Sequence, residues 1–251
     1  MSQDQVTAPP KLNMSSTIPT MDLRVFVPSE QLTGNSSAER QISRHNGNYR
    51  GDCSLSINTG ANVQEQNNTN LWITGLPGTI TIQELLAAIT RTGRVRSTVV
   101  NAPTGTIMTA AASISFFNRK DAENLYRKIE NGRILYRGTF PSIQWNRNKV
   151  GEGDAHPLAS RVLLIAGDPE IVNEKYLNEF FSKKFVYEID CIINHGTVDG
   201  FNGPISRLEY RFGSWRSQAS SARLALTLEL KGFLLVEYGP DPCAGQGPGL
   251  R

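Results

Sequence analysis

The sequence has no long apolar run and few cysteines, and each shortage excludes a class of protein. No stretch approaches the roughly 18 apolar residues of a membrane-spanning helix, and the N-terminus lacks the basic and then apolar pattern of a signal peptide. The three cysteines, Cys53, Cys191 and Cys243, are odd in number and far apart, so they form neither a disulfide framework nor a paired metal knuckle. We therefore expect reduced thiols in an intracellular chain, in the nucleus or the cytoplasm, without membrane contact.

The usual sequence signs of catalysis are also missing. The three histidines, His45, His156 and His195, are scattered, and none has metal-ligand spacing to another histidine or to a cysteine. Neither a G-x-S-x-G motif nor a P-loop is present. The sequence therefore predicts a protein that is not an enzyme and that has no metal site, no cofactor and no small-molecule substrate.

The first 69 residues differ in composition from the rest of the chain. They are rich in Ser, Asn, Gln, Thr and Gly, contain few aromatic residues and show no sustained hydrophobic period. Such a segment buries too little apolar surface to offset the entropy of ordering, so we predict a disordered tail. Met21–Pro28 is the exception, and it is either an incidental apolar patch or a short docking peptide that adds a strand to a sheet edge.

A periodic segment begins at Asn70 and has the order strand, helix, strand, strand, helix, strand. Leu71 and Ile73 alternate with Trp72, which predicts a short strand with the tryptophan on the face away from the core. The four residues from Thr81 to Glu84 have the spacing of a helix capping box. The later strands are predicted at Val95–Val100, Ala111–Phe116 and Ser142–Asn146, with the second helix beginning near Asn118 and ending before Gly132.

This order is the split βαβ of the ferredoxin-like class, and it resembles the RNA recognition motif (RRM). Leu71–Leu76 resembles the six-residue motif of that family, and Thr109–Phe116 takes the place of its eight-residue motif. Aromatic residues on the exposed face of these two strands stack on RNA bases in the family. Trp72 stands at the first stacking position, but Ala111 and Ser113 stand where the longer motif would supply two aromatics. The resemblance thus implies RNA binding with a reduced set of stacking residues.

Strand alternation identifies the residues of the open sheet face, opposite the helices. Trp72 would stack on a base, the neighbouring polar side chains would bond to base edges, and basic residues around the last strand would reach phosphates. Alternatively, the tail, the linker or the second domain covers Trp72. Trp145 is in phase with the core side. The predicted RNA-binding residues are Asn70, Trp72, Thr74, Ser113, Arg133, Arg137, Gln144, Asn146, Arg147 and Lys149.

Basic charge is concentrated in the first periodic segment. Residues 70–150 contain 11 Lys and Arg against 4 Asp and Glu, a net charge of +7, whereas residues 158–243 contain 9 against 11, a net charge of −2. Phosphate neutralisation supplies most non-specific affinity for nucleic acid, so RNA is expected on the first segment. The alternative for five of these cations is that they are solvated charges on helix faces: Arg91, Arg119, Lys120, Arg127 and Lys128.

The same pattern repeats after a linker at residues 150–159. Val162–Pro169 aligns with Asn70–Pro77, which places Leu164 at the position of Trp72. A longer loop, His195–Ser206, is predicted to absorb the extra length of this copy. Arg207 and Glu209 hold the remaining aromatic positions, and Glu209 would repel phosphate. For Arg207 and for Arg211, a cross-strand salt bridge or a protein contact is favoured over base stacking.

Together these patterns predict an α+β protein with two ferredoxin-like (βαββαβ) RRM domains in tandem. The predicted parts are a disordered tail (1–69), a basic first domain (70–149), the linker (150–159), a divergent second domain (160–243) and a flexible C-terminal tail (244–251). The ordered region also resembles RRM-containing proteins of filamentous fungi. Two functions follow: single-stranded RNA binding by the first domain with a protein partner on the second, or a protein-interaction module that does not bind RNA directly.

Overall fold

The computed structural model describes residues 62–153, 157–201 and 203–245. Most of the predicted N-terminal tail, including Met21–Pro28, lies outside the described residues. The described chain forms two α+β domains in tandem. The first contains β1 (Asn70–Leu76), α1 (Ile82–Ala87), β2 (Val95–Asn101), β3 (Ala110–Phe116), α2 (Arg119–Glu130) and β4 (Ser142–Trp145); the second contains β5 (Val162–Gly167), α3 (Glu174–Ser182), β6 (Ile189–Gly200), β7 (Gly203–Phe212), α4 (Ser220–Glu229) and β8 (Leu234–Tyr238).

Each domain has an antiparallel four-stranded sheet with the same strand order. The order is β2-β3-β1-β4 in the first sheet and β6-β7-β5-β8 in the second. This arrangement, with the first and third strands of each copy in the centre, confirms the predicted ferredoxin-like fold and its tandem repetition.

The first core lies between one face of its sheet and the two helices. Thr81 caps α1 and forms the predicted capping box with Glu84, and Asn118 caps α2 by accepting a hydrogen bond from the Asp121 N–H. Trp145 packs against this core, and its ring stacks on Tyr126 with the ring centroids 5.5 Å apart. Six apolar residues that alternate with the open-face positions of the strands are all buried in this core: Leu71, Ile73, Ala112, Ile114, Phe116 and Ile143.

The second core is dominated by aromatic rings around Phe181 of α3. Phe181 is fully buried and makes edge-on contacts with Tyr210 and Phe212 of β7, with ring centroids 5.7 and 5.8 Å apart. Edge-to-face packing of this kind adds to the free energy of apolar burial. The second domain therefore has a complete core of its own, although its open face lacks a tryptophan.

The sequence prediction of a loop at residues 195–206 is wrong. β6 and β7 continue through this segment as a long hairpin, with Val198 opposite Ile205 and Gly200 opposite Gly203. An irregularity between Asn194 and Thr197 interrupts the ladder, and such a bulge breaks the strict alternation that identifies strands in a sequence. Phe201 at the tip is fully exposed.

The second domain packs against the edge strand β2 of the first. The Ser214 hydroxyl accepts a hydrogen bond from the Thr98 N–H at 2.8 Å and donates one to the Thr98 carbonyl at 3.1 Å. Beside this pair, the Trp215 ring lies 5.2 Å from that of Phe117. Backbone groups of an edge strand, which would otherwise be open to another chain, are thus satisfied within the protein.

The segment after β8 returns to the first domain. Asp241 accepts a hydrogen bond from the Val95 N–H at 2.8 Å, and the Cys243 carbonyl accepts one from the Thr92 N–H at 2.8 Å. The Cys243 side chain is 1% exposed and belongs to the hydrophobic core of the first domain. Residues beyond β8 therefore complete the core of the first domain, although the whole second domain lies between them in the chain.

A buried ion cluster holds this return segment. Arg161, whose side chain is 1% exposed, donates to Asp241 at 3.0 Å and to Asp190 at 2.7 Å. It also donates to the Phe212 carbonyl at 3.0 Å. Burial alone would lower the pKa of Arg161, but the Asp241 carboxylate and its neighbours raise it above the ordinary value. The guanidinium is therefore charged at every accessible pH.

Replacing one member of this cluster should destabilise the protein. Asp241→Asn removes the carboxylate that pairs with Arg161 in a dry site, and we expect a loss of about 3 kcal/mol in the free energy of unfolding, measured by urea denaturation. Asp199→Asn, at an exposed carboxylate of β6, is the control and should change that free energy by no more than about 0.5 kcal/mol. Equal effects of the two substitutions would contradict the structural role of Asp241.

Cys243 should be chemically inert in the folded protein. Burial, and then the charge of Asp241, raise the pKa of its thiol to about 12, so no thiolate is available near neutral pH. We expect iodoacetamide to modify the half-buried Cys191 in the native protein and Cys243 only after urea is added, as read by peptide mass spectrometry. Modification of both thiols at one rate in the native protein would disprove the docked position of Cys243.

Candidate functional site

The open face of the first sheet carries one continuous cross-strand row. Val99 of β2 lies opposite Ser113 of β3, Ser113 lies opposite Trp72 of β1, and Trp72 lies opposite Gln144 of β4. The Trp72 side chain is half-buried, whereas Gln144 and Val99 are exposed. Within the described ranges no aromatic ring or cation stacks on Trp72. The row thus presents an indole flanked by small and polar groups.

Gly75 extends this face beyond the tryptophan. The β1–β3 ladder shifts between Ile73 and Leu76, and Gly75 within this bulge has a φ of +73°, a conformation that glycine adopts without a steric penalty. The bulge returns Leu76 to the core while Thr74 stays opposite Ser142 on the open side. The accessible part of the face therefore includes Thr74 together with Trp72.

The other end of the open face is covered by the chain that follows β4. The Thr69 N–H donates to the Val150 carbonyl at 2.7 Å, and the Val150 N–H donates to the Asn68 side chain at 3.1 Å. Beneath this segment, Asn70 and Ser115 are 5% and 1% exposed. The start of the linker therefore covers the Asn70 end of the sheet, whereas the predicted alternative was a cover over Trp72.

Three predicted base-contacting residues bond to one another instead of standing free. The Ser113 hydroxyl donates to the Asn70 side-chain oxygen at 3.0 Å, and the Asn146 amide donates to the Ser113 oxygen at 3.0 Å. The Asn70 amide donates to the Asn148 carbonyl at 2.8 Å. These hydrogen bonds hold the chain after β4 in place, and the three polar side chains lie beside Trp72.

The four predicted phosphate-contacting residues do not converge on one place. Arg137 forms a bidentate pair with Glu84 beside α1, with both nitrogen–oxygen distances to Nη2 at 2.8 Å. Lys149 pairs with Glu65 at 2.9 Å. Arg133 lies close enough to Lys128 of α2 to lower the pKa of that lysine, after the larger effect of burial and that of Arg91. Arg147, two residues after β4, is exposed.

The helix-side cations mostly make local contacts. Arg119 lies over the Trp145 ring at 3.3 Å and pairs with Glu123 at 2.9 Å. Lys128 donates to the carbonyls of Thr90 and Arg91. Arg127 donates to the Asn124 side chain at 2.8 Å. These contacts agree with the alternative of helix-face charges for these three residues.

The second sheet presents a different surface at the equivalent positions. Leu164 stands where Trp72 stands in the first sheet, and it lies between Glu209 of β7 and Glu237 of β8. Glu209 is 8% exposed and pairs with Arg211 at 2.6 Å and with His195 at 3.0 Å. The Arg211 pair lies along one strand, whereas a cross-strand salt bridge or a protein contact was favoured for Arg207 and Arg211. With Leu164 between two glutamates, the second sheet presents no aromatic ring at the position equivalent to Trp72.

The structure adds one residue that the sequence interpretation missed. Val99, 49% exposed, completes the row that contains Trp72, and its alternation with the core-side Val100 is the signal that identifies its face. No group of His, Cys, Asp and Glu within the described residues has the arrangement of a metal site. In the same part of the chain, no helix is long and apolar enough to cross a membrane.

The hydrogen bonds among Asn70, Ser113 and Asn146 should stabilise the folded protein, and this effect distinguishes them from residues that only bind RNA. Asn70→Ala removes a buried side chain that accepts from Ser113 and donates to Asn148, and we expect a loss of about 1–3 kcal/mol in the free energy of unfolding. Gln144→Ala, at an exposed position in the Trp72 row, should leave that free energy within about 0.5 kcal/mol. Thermal and urea unfolding of both variants test this difference, and an unchanged Asn70→Ala protein would exclude the structural role.

The chain is similar to solved structures that contain two domains in tandem. No protein-family model and no curated protein sequence matches the chain. The RNA recognition domains 1 and 2 of Sex-lethal from Drosophila melanogaster share 19% identity over 68% of this chain and 100% of that chain, with a TM-score of 0.27. The first two RRM domains of the yeast poly(U) binding protein share 16% identity over 68% and 99%, with a TM-score of 0.28. Because these identities and TM-scores are low, the assignment of the fold rests on the strand order described above.

Proposed function

We propose that the protein is a non-catalytic RNA-binding protein whose first sheet contacts single-stranded RNA through Trp72. The carrying observation is the half-buried indole at the centre of an otherwise small and polar cross-strand row. An unstacked base placed on the indole face would lie between Ser113 on one side and Gln144 on the other. Gln144 is free on the surface to bond to a base edge.

The charge of the first domain supports this proposal. The net charge of +7 over residues 70–150 attracts a polyanion, and Arg147, shortly after β4, is exposed to solvent. Much of the remaining positive charge is paired or lies by the helices, so few direct phosphate contacts accompany the stacked base. We therefore propose modest affinity and modest sequence preference for this sheet, in the cytoplasm or the nucleus.

The second domain is proposed to contact a protein. Phe201 at the tip of the β6–β7 hairpin is fully exposed, and Leu235 on the open side of β8 is 60% exposed. Apolar groups displayed in this way favour a protein contact over a phosphate backbone. The same feature supports the alternative function, a protein-interaction module without direct RNA binding, if the first sheet does not bind RNA.

A titration of the full chain with fluorescent single-stranded RNA tests the role of Trp72. Trp72→Ala should weaken binding by about 1–3 kcal/mol, the usual value of one base–aromatic stack, whereas Trp72→Phe should retain most of the affinity. Leu164→Ala, at the equivalent position of the second sheet, is the matched control and should bind as the parent does. Binding by the parent should also weaken as salt concentration rises.

Two results would overturn the proposal. RNA binding that is indifferent to Trp72→Ala would move the site away from this sheet. The absence of RNA binding by the parent chain at low salt would favour the protein-interaction module, because electrostatic attraction is strongest under that condition.

A further inference from the structure

Strand β8 forms an outer edge of the second sheet, and part of its backbone is unpaired. The Gly239 N–H donates to the Val162 carbonyl of β5 at 2.9 Å. Because the hydrogen-bonding direction alternates along an antiparallel strand, Val236 and Tyr238 turn their N–H and carbonyl groups away from β5. In the described part of the chain, no hydrogen bond reaches these outward backbone groups. The edge is therefore open to another strand.

This open edge has defined ends. At one end Leu234 already forms a bridge with Lys231, and beyond the other end Pro240 has no N–H to donate. The edge strand β2 of the first sheet differs, because Ser214 and Asp241 bond to its backbone. An added strand therefore has room beside β8 for the length of that strand, which is 5 residues.

The side chains of β8 define what a partner strand must supply. Leu235, 60% exposed, and Glu237, also exposed, lie on the open side of the sheet, whereas Val236 packs half-buried against the second core. Phe233, immediately before the strand, is 61% exposed. Residues directly opposite each other in an antiparallel pair lie on the same face and contact each other. A matching strand thus needs a cation and an apolar residue two positions apart on one face, with apolar residues on the other.

The sequence segment Met21–Pro28 meets this requirement. When it is placed antiparallel to β8, its alternating residues match those of the strand one for one. The pairs in this register are Leu23–Tyr238, Arg24–Glu237, Val25–Val236, Phe26–Leu235 and Val27–Leu234. Opposite charges meet in the second pair, and two large apolar side chains meet in the fourth. Pro28 follows the last pair, at the end of the open edge, where its missing N–H leaves no bond unmade.

The edge strand β4 of the first sheet is a poorer match for this segment. Its exposed side chains, Ser142 and Gln144, are polar. Residues 70–150 carry a net charge of +7, which would repel Arg24, whereas residues 158–243 carry a net charge of −2. Apolar contact and charge complementarity both favour β8.

A second copy of the chain also fits the edge less well. If β8 paired with β8 of another copy about Val236, Glu237 would face Leu235 rather than a cation. The segment of the same chain is joined to the described residues by positions 29–61, and these 33 residues can span about 110 Å when extended. Such a connection makes the pairing intramolecular and gives the segment a high effective concentration at β8.

We propose that Met21–Pro28 binds within its own chain by adding a fifth strand to the second sheet, antiparallel to β8 in this register. The inference goes beyond RNA binding by the first sheet and does not depend on it. The added strand covers Leu235. The β6–β7 hairpin, with Phe201 at its tip, then remains as the apolar surface of the second domain for a protein partner.

Amide hydrogen exchange of the full chain, followed by NMR, tests the pairing. Val25 and Val236 form two backbone hydrogen bonds in this register, so the outward Val236 amide should be protected in the parent. Val25→Pro removes a donor and disfavours the strand, and the Val236 amide should then exchange about tenfold faster. Ser37→Pro, N-terminal to the described residues but outside the segment, is the matched control and should exchange as the parent does. The Ile165 amide of the central strand β5 should be unchanged in both variants.

Charge reversal tests the register of the two strands. Arg24→Glu and Glu237→Arg should each speed exchange of the Val236 amide about threefold, because each places like charges opposite each other. The double variant restores opposite charges and should therefore exchange at nearly the rate of the parent. A double variant that exchanges faster than either single variant would contradict this pair.

Disulfide trapping identifies both the neighbouring strand and the chain that supplies the segment. Leu235 turns its backbone toward β5, so Phe26 and Leu235 form a non-hydrogen-bonded pair with Cα atoms about 4.5 Å apart, which a disulfide can span. In a Cys53→Ser, Cys191→Ser background, Phe26→Cys with Leu235→Cys should oxidise about tenfold faster than Phe26→Cys with Gln144→Cys, which probes β4. Mass spectrometry of mixed ¹⁵N-labelled and unlabelled protein shows whether the bond lies within one chain.

Three results would overturn the proposal. Rapid exchange of the Val236 amide in the parent would show that the edge stays open in solution. Protection that survives Val25→Pro would assign the edge to another occupant, and disulfides that join labelled to unlabelled chains would assign it to a second copy. The RNA titration of Trp72→Ala is independent of these measurements, so the proposed function is judged separately.

Discussion

The arrangement of the whole described chain depends on the charge of Arg161. This residue stands at the start of β5, and its guanidinium is shared between Asp190 of β6 and Asp241 after β8. A charge with 1% exposure is stable only if its partners fully replace water. The cluster therefore fixes the position of Asp241, and Asp241 in turn bonds to the backbone of β2 in the other domain. A single buried cation thus connects the beginning and end of the second domain to the edge of the first.

Only part of the open face of the first sheet therefore remains accessible. The return segment and Ser214 occupy the edge at β2, while the chain after β4 lies over the end at Asn70. What remains is the row through Trp72, together with Thr74 beyond the glycine bulge. Under the proposed function, a surface limited in this way holds a small number of bases.

The two domains share a backbone fold but differ in the chemistry of their open faces. In the first sheet the central position holds an indole between a serine and a glutamine, whereas in the second it holds Leu164 between two glutamates. Glu209 is bound by Arg211 and His195, so its charge is balanced inside the protein. The fold is therefore compatible with different partners on the two sheets, and the side chains of the central strands decide between them.

The sequence by itself determined the order of the elements, because periodic burial and helix caps are local properties. The alternation of Leu71, Trp72 and Ile73 and the capping box at Thr81 predicted the first strand and helix, and both are present. Local patterns could not give the long β6–β7 hairpin, where a bulge breaks the alternation. Nor could they place Cys243 in the core of the first domain or pair Asn70 with Ser113. Those features join residues far apart in the chain, so only the tertiary packing decided them.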